Sequence, residues 1–212
     1  MKLDSGELAL RMTGPQVEKT PSCKTQETAQ LLKLAKAGDA LAFEQIMLQH
    51  QRQVLMTALR LLGEVNDAKD AAQEVFLRLH KYLYQFDEDR HFSPWLYRMT
   101  VNVCRDIYRQ RRKSATLSLS ELDENRELEL LTSPHDLEAD LTLSEQRHIV
   151  SEGLRVLTVK EREVLVLRDI EGLSSQEVAG LLGSTQVTVR SQLSMARLKL
   201  RKFAERFLRR QV

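Results

Sequence analysis

Residues 159–202, VKEREVLVLRDIEGLSSQEVAGLLGSTQVTVRSQLSMARLKLRK, decide the fold of the second half of this chain. They read as helix, short turn, helix, turn, helix. Gly172 closes the first helix and Ser174 caps the second, with Glu177 three residues on as in a capping box. Val178, Leu181 and Leu182 form the apolar side of that short helix, and Gly183 supplies a tight turn. Ser184 or Thr185 caps the third helix, whose buried stripe is Val189, Leu193, Ala196, Leu200 and Phe203. Its outward face carries Arg190, Ser191, Ser194, Met195, Arg197 and Arg201. A short helix, a glycine turn and a basic-faced second helix match the helix-turn-helix layout, in which the second helix enters a DNA major groove. A plain helical hairpin is the other reading of the same pattern.

Around this core the charge is segregated. From Val187 to Val212 eight basic residues face only Glu205, a net +7 suited to phosphate, in a chain whose overall charge is +2. Upstream, residues 114–140 carry eight acidic residues against Arg126, a net −7, with Ser and Pro and no aromatic residue. That texture predicts a flexible acidic linker, long enough for two domains to sit apart on an extended partner. Residues 1–26 show no sustained period and read as a flexible extension. The expected fold is therefore all-α, with two small helical domains, 27–113 and 141–212, joined by the linker.

The first domain holds residues 67–113, DAKDAAQEVFLRLHKYLYQFDEDRHFSPWLYRMTVNVCRDIYRQRRK. Ala72, Phe76, Leu79 and Leu83 recur as a buried stripe, leaving Asp67, Asp70, Gln73 and Glu74 on the opposite side. That acidic side suits a basic partner or is simply a solvated face. After Ser93-Pro94, which resembles an N-cap with proline at the first helical position, Arg98, Asn102, Arg105, Arg109 and Arg112 form one polar, basic stripe. Leu96, Val103 and Ile107 lie behind it. Residues 97–113 carry six basic residues against Asp106, and guanidinium forks fit phosphate oxygens in shape as well as charge. Between the two helices cluster Tyr82, Tyr84, Phe86, Phe92, Trp95 and Tyr97, six of the chain's eleven aromatic residues. Most should pack in the core, with one or two in reach of an unpaired base, where stacking contributes about 1–3 kcal/mol.

Other classes find little support. Cys23 and Cys104 lie far apart with no His or Cys at ligand spacing, which reads as reduced cytoplasmic thiols and no metal site. His50, His80, His91, His135 and His148 are scattered, no glycine-rich phosphate loop occurs, and no nucleophile–base pair can be read, so an enzyme, a cofactor and a small-molecule substrate are not expected. No apolar run reaches the roughly 18 residues that span a bilayer, and the N-terminus does not read as a secretory signal.

Residues 28–207 resemble a bacterial RNA polymerase sigma factor of the extracytoplasmic-function group. DAKDAAQEVFLRLHKY is similar to the family's core-polymerase-binding helix, FSPWLYRMTVNVCRDIYRQRRK to its promoter-melting and minus-ten helix, and the segment from Leu157 to Lys202 to the reader of the minus-thirty-five element. The resemblance implies a transcription initiation factor that binds core RNA polymerase and promoter DNA. It assigns core binding to Asp67, Asp70, Gln73, Glu74 and Phe76. Minus-ten contacts fall to Phe92, Trp95, Arg98, Asn102, Arg105, Asp106 and Arg109, with base capture by the loop from Phe86 to Ser93. Minus-thirty-five contacts fall to Thr188, Arg190, Ser191, Gln192, Ser194, Met195 and Arg197. It also implies control by an anti-sigma factor, often a membrane protein, and a cytoplasmic location. Two departures bear on specificity: Gln192 stands where members often carry a second Arg, and Met195 where they carry a basic residue. Leu157-Thr158 replaces the family's common Leu-Pro. A stand-alone helix-turn-helix regulator is the rival; it would bind duplex DNA by itself, usually as a dimer, and leave the acidic helix and aromatic loop unemployed.

Overall fold

The computed structural model describes residues 23–87, 91–115 and 149–209. Four helices make the first unit: α1 (Cys23–Lys36), α2 (Ala40–Leu62), α3 (Val65–Tyr82), followed by a 3-10 turn at Leu83–Gln85, and α4 (Phe92–Ala115). The second unit holds a helical turn at 149–155, α5 (Val159–Leu165), a π-turn (Val166–Ile170), α6 (Ser175–Leu182) and α7 (Gln186–Leu208). Most of the expected linker falls in 116–148, outside the described residues.

Caps account for the boundaries. Asp39 accepts from the Leu41 and Ala42 N–H groups at 2.9 and 3.1 Å, so α2 starts where its first donors find an oxygen. Gly63, at φ 75°, ends α2, and Glu64 caps α3 by accepting from Asn66 and Asp67. This two-residue link folds α3 back on α2, where Ala58, Ala68 and Ala71, all fully buried, keep the side chains between the helices small. Ile46, Val54, Leu79 and Val101 fill the centre; burying each contributes about 1.5–3 kcal/mol.

Two starts differ from expectation. Residues 23–26 form the first turn of α1 rather than part of an extension, and α4 begins at Phe92, so Ser93 and Pro94 lie inside its first turn. Proline costs nothing there, because the first-turn N–H groups have no helical partner.

The second unit follows its caps closely. Ser174 and Glu177 form the expected capping box, Gly183 (φ 65°) turns the chain, and Thr185 caps α7 by accepting from Thr188. Thr158 does more than replace a proline. Its hydroxyl accepts from Glu161 N–H and its own N–H donates to the Glu161 carboxylate, a second capping box that starts α5. Val164, Val166, Val178, Val189 and Ala196 are buried in the core of this unit.

The units pack against each other rather than standing apart. α4 rests on α6, and one continuous apolar core runs from Leu32 to Ala196. Arg162 ties the seam by donating to Leu61 O at 2.9 Å as well as to Leu154 O at 3.0 Å within its own unit.

Candidate nucleic-acid interface

The acidic side of α3 is one wall of a groove, and α4 is the other. Asp67, Asp70, Gln73, Glu74 and Leu77 face Val103, Asp106, Ile107 and Arg111 across a cavity of about 650 Å³. The α4 wall of this groove is not the Arg98–Arg109 stripe but the residues beside and behind it, so the acidic face of α3 meets α4 through Arg111 and Asp106. Arg78 bridges the two helices, binding Glu74 at 2.7 Å on its own helix and Asp106 at 3.2 Å on α4; Arg111 reaches Asp67 at 2.8 Å. Burial pushes the Asp67 carboxyl up despite Arg111. Burial also works against ionised Glu64, but the N–H groups of Asp67 and Asn66 and the Arg111 charge outweigh it and hold that carboxyl low. Leu77 stands 59% exposed among these charges, an apolar contact flanked by exposed Asp70 and Gln73.

Phe76 does not belong to that surface. It is buried on the core side of α3, so its role is to hold the acidic face in place. Phe92 is likewise buried, against Phe86, Trp95 and the His50 ring at centroid distances of 5.6, 6.1 and 5.1 Å. Edge-on aromatic pairs of this kind stabilise packing. Lys36 donates to Phe86 O at 3.0 Å, pinning the corner. Trp95 is half-buried, and Tyr84 is 67% exposed. Residues 88–90 of the expected base-capturing loop lie outside the described residues.

On α4, Arg98, Asn102 and Arg109 are exposed as expected, while the side chains of Arg112 and Lys113 lie outside the described ones. Asp106 is held between Arg78 and Arg109. Arg105 departs from the stripe. It donates from Nε and one terminal nitrogen to both oxygens of Glu163 on α5, at 2.7 and 2.6 Å, and Glu163 is 4% exposed. Such a fork is the strongest geometry available to the pair. Neighbouring Cys104 is buried, its thiol pushed up to about 12 by burial and then by Glu163, which leaves it unreactive.

A second seam centres on Glu171. The π-turn, closed by Glu171 N–H donating to Val166 O at 2.9 Å, turns this carboxylate toward the first unit. It accepts from Thr57 Oγ1 at 2.8 Å, Arg60 at 3.0 Å and Tyr97 Oη at 2.6 Å, and Tyr97 also accepts from Gln53. Burial, then Glu171, pushes the Tyr97 hydroxyl well above its ordinary value, so it stays a donor. None of Thr57, Arg60, Glu163 and Glu171 was a candidate from sequence.

On α7 the expected surface is open. Thr188, Arg190, Ser191, Ser194 and Met195 are exposed, and Gln192 is half-buried. Arg197 is exposed but held by both Asp169 oxygens, at 2.9 and 2.7 Å.

Residues 46–114 match the family model described as Sigma-70 region 2, and residues 147–200 match Sigma-70, region 4. The RNA polymerase sigma-H factor of Pseudomonas aeruginosa is 30% identical over 190 residues, 87% of this chain and 97% of that protein. The ECF RNA polymerase sigma factor SigW of Bacillus subtilis is 31% identical over 178 residues, 81% and 93% of the two chains. The chain belongs to the extracytoplasmic-function sigma factors. The first unit carries the region 2 match and the second the region 4 match. The solved structure of CnrH in complex with the cytosolic domain of CnrY shares the fold, with TM-score 0.60 and 29% identity, covering 84% of this chain and 97% of that one. As a sigma factor the protein is a transcription initiation factor, of a non-enzymatic family, and the stand-alone regulator reading finds no support. No helix among the described residues is long and apolar enough to cross a membrane.

Proposed function

We propose that this sigma factor docks on core RNA polymerase through the groove between α3 and α4, with Asp70, Gln73, Glu74 and Leu77 as its contact edge. Arg98, Asn102 and Arg109 hold the minus-ten region, α7 holds the minus-thirty-five element, and Tyr84 and Trp95 border the site of the unpaired base. The observation that carries this reading is the order of the parts: an acidic groove and an exposed basic stripe share one unit, and a helix-turn-helix with an open recognition face follows. The place of action is the cytoplasm. An anti-sigma factor covering the polymerase-binding face is the expected regulator; the related CnrH is named in complex with CnrY.

Arg105 sets a condition on this function. A phosphate that took Arg105 from Glu163 in the packed state would strand a carboxylate that is 4% exposed, which costs about 3–5 kcal/mol. Separation of regions 2 and 4 returns Glu163 to water and removes that cost. Promoter engagement by the whole basic stripe therefore goes with opening of the seam.

Reconstitution with core polymerase and run-off transcription test the reading. Full-length transcripts that need both core and this protein are expected. Absence of core binding and of transcripts on every candidate promoter would refute it.

A further inference from the structure

The recognition helix presents more apolar surface than a basic, phosphate-seeking helix needs. At about 100° per residue, Val187, Ser191, Ser194 and Leu198 fall along the middle of the outward face of α7, with Arg190, Arg197 and Arg201 on one flank and Thr188 and Met195 on the other. Val187 is 74% exposed, Met195 47% and Leu198 46%, so region 4 does not use them for its own core. Val187 is the second residue of the helix, at the N-terminal end that approaches base edges in helix-turn-helix complexes. The two serines between the apolar groups are short enough to let the helix backbone come close to the groove floor.

Donors for base edges are few. Asp169 already holds Arg197 by both oxygens, and Gln192 is half-buried. Arg190, which makes no hydrogen bond or ion pair to the described residues, remains as the one guanidinium on the N-terminal half of the face. Among base edges of the major groove, only thymine offers a methyl group to an apolar side chain, while guanine is the preferred partner of arginine.

We propose that this helix reads its promoter element chiefly through thymine C5-methyl groups, contacted by Val187 and Met195, with Arg190 supplying the single arginine–guanine contact. Val187 is thereby a specificity residue. This rests on the sigma-factor reading and adds to it the chemistry of the element recognised.

The test uses the full chain reconstituted with core polymerase. A minus-thirty-five element is first selected from a randomised promoter library by transcription. Each thymine in it is then replaced by deoxyuridine, which removes one methyl group and keeps every hydrogen-bonding atom. At the contacted positions the wild type should lose about four-fold in promoter affinity per methyl, the value of one buried carbon. Val187→Ala, at a side chain too exposed to matter for folding, should match the wild type on the uridine template and lose the advantage of thymine. Met195→Ala should do the same at a neighbouring position. Uridine tolerated at every position, a selected element without thymine, or a Val187→Ala loss equal on both templates would each overturn the proposal; the last would assign Val187 to a protein contact. In all three cases transcription itself persists, whereas absence of transcripts from every template would overturn the sigma-factor reading and this inference together.

Discussion

α4 and α7 are both long amphipathic helices with a basic outward face, yet they stand in different states. α4 is partly engaged: Arg105 is forked to Glu163, Arg111 is tied to Asp67, Asp106 lies between two arginines, and α6 packs on its side, while Arg98, Asn102 and Arg109 stay exposed. α7 is open, and apart from Arg197 on Asp169 its N-terminal outward residues face solvent. The difference teaches that positive charge on a helix face is not the same as charge available to DNA. Availability depends on which carboxylates the fold brings within reach.

The sharpest way to break this comparison is to remove the carboxylate that holds Arg105 of α4. Glu163→Ala leaves Arg105 half-buried without its fork, and a loss of about 3 kcal/mol in urea-unfolding free energy is expected. A loss below about 1 kcal/mol would make the fork an ordinary surface pair and put α4 on the same footing as α7. At the second seam, Tyr97→Phe removes the hydroxyl that donates to Glu171, with an expected cost of about 1–2 kcal/mol. On the open helix, Arg190→Ala should move stability by less than about 0.5 kcal/mol while relaxing sequence selection at one promoter position. Destabilisation there as large as at Glu163 would end the distinction.

The groove sharpens the comparison further. Charge reversal at Asp70 and Glu74 should weaken core-polymerase binding more than about ten-fold, since like charges would face a basic partner, while unfolding shifts little. Equal losses in both would return that face to a solvated role. The smallest effect concerns pH. The Glu64 carboxyl sits below its ordinary 4.5 in the folded state, so its contribution is present above that value and is lost as pH falls through the folded value. Glu64→Gln keeps an oxygen for the α3 cap, and its acid limb should flatten; an unchanged acid transition in a pH series of unfolding midpoints would deny the cap that role.

Much of this was legible in the chain because it is local. The Val189, Leu193, Ala196 stripe, the Ser174–Glu177 box and the Gly183 turn all lie within a helical turn or two, where side-chain spacing and cap chemistry act directly. Thr158 and Glu161 spell a second capping box of the same kind, and that signal was equally readable. What was not legible is long-range. Glu163 meets Arg105 across 58 residues and Glu171 meets Thr57 across 114, and such pairs leave no periodicity on either segment. Phe92 and Phe76 show the same limit: an aromatic beside a charged face is spaced alike whether it points to solvent or to the core.

The central claim is that region 4 holds Arg105 of α4 in the free protein and releases it on the promoter. Resonance energy transfer between dyes on exposed Gln51→Cys and Lys202→Cys, in a Cys23→Ser background that leaves only the buried Cys104 thiol, measures this directly. High transfer in the free chain, falling when core polymerase and promoter duplex are added, is the expected result. Transfer that stays unchanged in a transcribing complex would contradict the account.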